Sequence, residues 1–140
     1  MEAPYPPLRG TSAVATYDSF MSAFRPAPLK PLVTFSALQA LDLRVGEILA
    51  AENVPASSKL VRLTVSFGDH TRTILAGLQK ERENLQALVG WQTLFVINLE
   101  PKRLAGEVSE GMLLDLGFAD GLEPAFLLPE TPVPNGTRAG

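Results

Sequence analysis

The sequence lacks cysteine and contains a single histidine, His70, among its 140 residues. Disulfides, thiolate metal ligands and cysteine nucleophiles are therefore excluded, and His70 has no second histidine with which to hold a zinc ion. His70 stands beside a predicted turn, so an exposed turn residue is the simplest interpretation. We expect no metal and no cofactor, and the absence of cysteine fits a reducing cytoplasm.

Motifs of catalysis and of membrane insertion are missing as well. No phosphate-binding or dinucleotide-binding glycine pattern occurs. Ser109 lies between Gly106 and Gly111, but this segment is not the strand–turn–helix of a nucleophile elbow, and no base accompanies it. No apolar run reaches the length of a membrane span, and the start of the chain does not read as a secretory signal. We therefore assign no catalytic residue, and we expect a cytoplasmic chain that is neither an enzyme nor membrane-bound.

Basic residues are in slight deficit, because 12 Lys and Arg stand against 15 Asp and Glu, which gives a net charge of −3. Nucleic-acid binders gain affinity mainly from cations that displace counterions, so this sum argues against tight general binding. The acidity is concentrated near the end: residues 34–113 hold eight basic and nine acidic residues, whereas residues 114–140 hold one and four. This distribution leaves room for a modest basic face with weak, salt-sensitive binding.

Prolines divide the chain into an extension and a domain. Residues 1–33 contain six of the 12 prolines, which block regular helix and predict an extended arm. Apolar residues at roughly helical spacing over 14–24 offer a short docking helix as an alternative to a plain linker. Residues 34–140 have the size of one domain with one core.

Alternating apolar residues predict the clearest strand at 60–67. The dipeptide Gly68-Asp69 then predicts a hairpin turn into a returning strand at 71–75. An earlier strand over 42–50 changes its apolar phase at Gly46, which predicts a bulge or sharp bend at that glycine.

Short helices and further strands complete the pattern. Thr34 is predicted to cap a helix through Leu41, and Asn84 to cap one through Val89. The remaining segments are a strand at 91–99, a polar loop at 102–111, a strand at 112–116 and a last strand at 126–128. Trp91 begins an apolar strand and is interpreted as a core or dimer-packing residue. A short helix between the third and fourth strands is the order of an all-β, five-stranded OB-fold barrel.

Four segments resemble the tRNA-binding domain family: Leu41-Asp42-Leu43-Arg44-Val45-Gly46-Glu47-Ile48, Lys59-Leu60 with Arg72 to Gly77, Asn98 to Leu114, and Leu127 to Gly136. The family includes C-terminal domains of methionyl-tRNA synthetases and small stand-alone bacterial proteins such as the chaperone CsaA. The resemblance implies an OB barrel that dimerises and binds tRNA with little sequence preference. Glu100 and Ala105 stand where many members carry Lys and Arg, so weaker RNA binding is expected.

Eight side chains are the candidate RNA contacts: Lys59, Arg62, Arg72, Asn98, Lys102, Arg103, Ser109 and Met112. The Lys and Arg side chains are suited to contact phosphate groups. Asn98, Ser109 and Met112 match positions of the family's nucleotide-contacting pocket, so the resemblance implies that they contact a base or ribose. Each has a simpler alternative. Arg62 could be an ordinary solvated strand residue, Asn98 could bond the main chain, and Met112 could fill the core.

Three functions remain open at this point. The leading hypothesis is a homodimeric tRNA-binding module, with the apolar segment 116–136 buried across the dimer interface. An alternative is a CsaA-like export chaperone that binds unfolded polypeptide on an apolar groove. A third is an adaptor that delivers tRNA to an aminoacyl-tRNA synthetase and binds the synthetase through residues 1–33.

Overall fold

The computed structural model describes residues 21–79 and 82–140, and strands dominate this part of the chain. The strands are β1 (Leu43–Asn53), β2 (Val61–Ser66), β3 (Thr71–Ala76), β4 (Gln92–Val96), β5 (Lys102–Leu104), β6 (Glu107–Ser109), β7 (Met112–Leu113), β8 (Asp115–Leu116), β9 (Ala125–Phe126) and β10 (Arg138–Ala139). Helix α1 (Phe35–Gln39) precedes them, and 3₁₀ helices occupy Leu85–Leu88 and Phe118–Asp120. The docking helix predicted over 14–24 lies largely outside the described residues.

The main sheet is antiparallel, with the strand order β3-β2-β1-β4-β7 and with β10 added beside β1. Its two edges meet, because the amide of Glu110 donates to the Thr73 carbonyl at 2.8 Å and the amide of Thr73 donates to the Glu110 side chain at 2.9 Å. The sheet therefore curls into a barrel, with a short helix between β3 and β4 as in an OB fold. The predicted all-β fold class is confirmed.

The inner face of the barrel follows the alternation of β2, whose residues Val61, Leu63 and Val65 are fully buried. Phe95 of β4 joins them and meets Phe67 edge to face, with ring centroids 5.6 Å apart. Trp91 is buried in the same cluster, so its interpretation as a core residue is confirmed.

Gly46 has a different role from the one predicted. The register between β1 and β2 shifts between Ile48 and Ala50, so the bulge lies two residues or more beyond Gly46. A Cβ at Gly46 would lie 2.5 Å from Cγ1 of Val65 and 2.8 Å from Cε1 of Phe67. The glycine is needed for close packing inside the barrel. The bulge of β1 lies instead around the exposed residue Leu49.

Several predicted boundaries also need correction. The predicted loop at 102–111 contains the hairpin β5–β6, and the predicted strand at 112–116 is two short strands with different partners. Thr34 caps α1 as predicted, since the amide of Ala37 donates to its hydroxyl at 3.2 Å, but the helix ends at Gln39. Asn84 precedes its 3₁₀ helix without a side-chain cap hydrogen bond.

The last residues pack on the barrel as a strap. Gln92 on β4 bonds the main chain of Val133 in both directions and donates to the Asn135 side chain at 2.8 Å. The Asn135 amide in turn donates to Glu47 on β1 at 3.0 Å, and β10 follows as an edge strand. The end of the segment predicted for dimerisation is therefore bonded within its own chain. Within the described residues, no helix is long and apolar enough to cross a membrane.

Candidate nucleic-acid interface

The hairpin β5–β6 lies along the free edge of β3, next to the outer face of β2 and β3. Arg62 alternates with the buried residues of β2, so its side chain is on the outer face, where it pairs across the strands with Leu75. The main-chain amide of Leu75 donates a hydrogen bond to the Ser109 hydroxyl, and the Arg62 side chain donates to the Glu107 carboxylate. Ser109 and Glu107 both belong to β6. One strand of the hairpin therefore runs along this outer face, which is the surface where OB folds bind oligonucleotides.

The hairpin closes with a two-residue turn. Leu104 pairs with Glu107, and the residues between them, Ala105 and Gly106, have φ angles of 49° and 80°. Positive φ at both central positions is the geometry of a type I′ turn, which matches the twist of the flanking strands. Alanine is an unfavourable residue there, because its Cβ crowds the backbone in the left-handed region.

The base of the hairpin is fixed to β3 by Ser109. Its hydroxyl accepts a hydrogen bond from the amide of Leu75 at 3.0 Å and donates to the carbonyl of Gly111 at 2.9 Å. The side chain is almost fully buried. Ser109, predicted as an RNA contact, is thus committed to closing the barrel.

The outer end of the hairpin is fixed to β2 by an ion pair. Nε and Nη2 of Arg62 donate to the two carboxylate oxygens of Glu107 at 2.6 and 2.7 Å, and Glu52 lies 3.5 Å from Nη1. The side chains of Arg62 and Glu107 are 29% and 25% exposed. The guanidinium bonds hold the pKa of Glu107 below its ordinary value. The charge of Arg62 is therefore compensated within the protein.

An open groove of about 560 Å³ lies between the hairpin and the strands, lined by Arg62, Thr73, Pro101, Glu107, Val108 and Glu110. Its lining carries one cation and two carboxylates, so the groove itself does not attract an anion. The free cations lie at its margins. Arg103 is exposed and pairs with Val108, so the two share one face of the hairpin, whereas Lys102 is exposed on the opposite side.

Lys59 lies in the connection between β1 and β2, three residues before Arg62. The hydroxyl of Ser57 accepts hydrogen bonds from the amides of Lys59 and Leu60, both at 3.1 Å. The side-chain amide of Gln79 donates to the carbonyls of Ser57 and Leu60. Four hydrogen bonds thus set the loop that presents the exposed Lys59.

Arg72 and Asn98 lie at the other end of the barrel. Nη1 of Arg72 donates to the carbonyls of Ile97 at 2.6 Å and Glu110 at 3.1 Å, which joins β3 to the end of β4 and to the turn before β7. Asn98 accepts from the amide of Asp42 and donates to the carbonyl of Ala40, both at 2.7 Å. Arg72 and Asn98, both predicted to contact RNA, therefore use these atoms to bond main-chain groups of neighbouring segments.

His70 stands beside Arg72 at this end. Its Nε2 accepts from Nε of Arg72 at 3.0 Å, so Nδ1 carries the proton that is donated to Asp69 at 2.7 Å. The bond lowers the pKa of the Asp69 carboxyl. The imidazole ring also stacks on the Phe67 ring, so His70 packs across the turn between β2 and β3.

The predicted contacts therefore fall into two groups. Lys59, Lys102, Arg103 and Met112 have exposed side chains, and Met112 is 44% exposed rather than buried in the core. The others, Arg62, Arg72, Asn98 and Ser109, make internal hydrogen bonds. Sequence reasoning missed Glu107 and Gln79 as structural partners. No local pattern relates Glu107 to Arg62, which stands 45 positions earlier in the chain.

An OB-type barrel that exposes cations beside β2 and β3 is typical of nucleic-acid-binding domains. The chain belongs to the tRNA-binding domain family, because the family model described as "Putative tRNA binding domain" matches residues 43–138.

Curated relatives of the chain are methionine–tRNA ligases. The enzyme of Methanospirillum hungatei is 39% identical over 111 residues, which cover 79% of this chain and 16% of the relative. That of Deinococcus radiodurans is 36% identical over 132 residues, which cover 91% of this chain and 18% of the relative. The chain thus spans less than a fifth of the length of these relatives.

Solved structures of small proteins share the fold over their whole length. The MetRS-related protein of Pyrococcus horikoshii matches with a TM-score of 0.73 and 31% identity, covering 79% of this chain and 100% of the other. The chaperone CsaA of Bacillus anthracis matches with a TM-score of 0.67, the same identity and the same two coverages.

Proposed function

We propose that this chain binds tRNA on the outer face of β2 and β3, through shape and backbone contacts, and that it carries no catalytic activity of its own. The observation that supports this most is the hairpin β5–β6, which carries two exposed cations, one on each of its faces, beside the surface that OB folds use for oligonucleotides. Membership of the tRNA-binding domain family selects tRNA among nucleic acids.

The proposed roles follow the two groups of side chains. Lys59, Lys102 and Arg103 contact phosphates, because they are exposed cations, the first on the β1–β2 connection and the other two on β5. Met112 packs against a base or ribose, because it projects from the end of β7 without being buried. Arg62, Arg72, Asn98 and Ser109 contribute by building the surface, because their polar atoms are hydrogen-bonded to other groups of the protein.

Charge reversal at the hairpin tests this proposal. The double variant Lys102→Glu/Arg103→Glu is expected to lose at least roughly tenfold in tRNA affinity at low salt, measured by fluorescence anisotropy. Lys30→Glu makes the same kind of change at an exposed residue outside the barrel and serves as the control. Equal affinities for the hairpin variant and wild type contradict the proposal.

We also propose that the chain acts as a homodimer in the cytoplasm. Leu116 and Phe118 remain 53% and 67% exposed in the segment predicted for dimerisation. Helix α1 buries no residue and leaves Phe35 72% exposed. Covering these side chains in a second copy removes them from water. Light scattering is expected to give twice the chain mass, and Phe118→Glu with Phe35→Glu to give a monomer.

The binding of unfolded polypeptide is a second candidate function. It is supported by the structural likeness to CsaA and by Leu29 and Leu32, which are almost fully exposed before α1. Peptide binding that survives Lys102→Glu/Arg103→Glu supports a separate peptide surface, whereas no peptide binding by wild type removes this candidate. The likeness to methionine–tRNA ligases supports a synthetase as a further partner, and co-purification with and without residues 1–33 tests it.

A further inference from the structure

Glu107 places a carboxylate in the groove beside the surface proposed for tRNA. Both of its oxygens accept hydrogen bonds from Arg62, 45 residues away on β2. The hairpin is otherwise bonded to β3 through Ser109, with Glu110 beyond it, at its base. Around Gly106, at the turn, a Cβ would meet no atom within 4 Å. The ion pair therefore holds the outer end of the hairpin.

We propose that Arg62 and Glu107 are positioning residues for RNA binding, which hold the hairpin that carries Lys102 and Arg103 beside β2 and β3 without contacting the RNA themselves. This inference rests on the proposed function. Arg62 lies between Glu107 and Glu52, so its charge is already compensated. A phosphate at this guanidinium would have to compete with both carboxylates.

The inference and simple electrostatics predict opposite effects when Glu107 is neutralised. Removing a negative charge from the edge of an RNA-binding groove strengthens binding if charge alone decides. If the carboxylate instead positions the hairpin, its loss frees the outer end, and the two cations are presented less often in the productive geometry. The sign of the change therefore separates the two explanations.

The experiment compares Glu107→Gln with Glu100→Gln in tRNA binding. Glu100 is an exposed carboxylate in the same connection between β4 and β7, so both variants make the same charge change. Glu107→Gln is expected to bind at least roughly threefold more weakly, and Glu100→Gln to bind equally or up to about twofold more tightly. Tighter or unchanged binding by Glu107→Gln overturns the inference.

A double-mutant cycle separates a shared role from two independent ones. Arg62→Gln is expected to weaken binding as Glu107→Gln does, and the double variant to bind like either single variant, because the pair acts as a unit. Losses that multiply in the double variant show that Arg62 has a contact of its own and contradict the inference.

Hydrogen exchange of the protein without tRNA tests the role of the ion pair independently of the proposed function. Amides at 102–109 are expected to exchange faster in Glu107→Gln than in wild type and unchanged in Glu100→Gln. Absence of tRNA binding by wild type ends the proposed function, while the faster exchange still supports the ion pair as the clamp of the hairpin. Exchange that is unchanged in Glu107→Gln overturns the clamp itself.

Discussion

The hydroxyl of Ser109 accepts a hydrogen bond from the main-chain amide of Leu75 at 3.0 Å and thereby joins β6 to β3. A neighbouring bond connects Glu110 to Thr73. These contacts close the sheet into a barrel at the strand edge that would otherwise remain open. The same closure places the hairpin β5–β6 beside β2 and β3, so barrel stability and the proposed RNA surface both depend on these contacts.

Ser109→Ala is expected to destabilise the protein by about 1–3 kcal/mol, because the amide of Leu75 loses its partner in a buried position. Urea denaturation followed by circular dichroism measures this. Thr131→Ala, an exposed hydroxyl removed from the C-terminal strap, is the control and is expected to change stability by less than about 0.5 kcal/mol. Equal effects of the two substitutions contradict the role given to Ser109.

Gly46→Ala is expected to destabilise the barrel by about 1–3 kcal/mol, because the added Cβ overlaps Val65 and Phe67 in the core. Gly77→Ala supplies the comparison, since a Cβ there meets no atom within 4 Å. Thermal denaturation of both variants is the measurement. A bulge at Gly46 without close packing would instead leave the two substitutions alike.

Ala105→Gly is expected to stabilise the hairpin by about 0.5–1 kcal/mol, because glycine adopts the positive φ of the turn without the Cβ conflict. The same substitution at Ala37, inside helix α1, is expected to be destabilising by a similar amount. Denaturant midpoints give both values, and a loss of stability for Ala105→Gly contradicts the turn geometry.

The Arg62–Glu107 pair gives a pH dependence with a definite sign. The pKa of Glu107 is lowered in the folded protein, so its stabilisation is present above its ordinary value of 4.5 and is lost as the pH falls through the lowered pKa. The difference in Tm between wild type and Glu107→Gln is expected to be constant near neutral pH. It should narrow once the pH falls below 4.5. A gap that widens on acidification contradicts this assignment.

Local patterns predicted the inner face of β2 and the cap at Thr34, because each depends on residues close together in the chain. They failed for β5 and β6, which have three residues each and are too short for alternation to be recognised. The alanine in their turn also lacks the usual Asn-Gly or Asp-Gly signal. Gly46 was misassigned because the apolar phase of β1 changes near a glycine that has a packing role.

The candidate site was predictable in its residue types but less so in their roles. Lys59, Lys102 and Arg103 have exposed side chains, and their contact with RNA stays a prediction. Arg62 and Ser109 were selected from the same segments, yet their hydrogen-bond partners come from distant strands. Such long-range pairs are set by how the barrel closes, which a local pattern does not contain.

The central claim is that exposed cations on the hairpin bind the phosphates of tRNA. Its most direct test is the salt dependence of tRNA binding by wild type and by Lys102→Glu/Arg103→Glu. Wild type is expected to show a linear fall of log affinity with log salt concentration, and the variant a slope shallower by about two, one for each lost phosphate contact. No binding by wild type at low salt, or identical slopes for the two proteins, would contradict it.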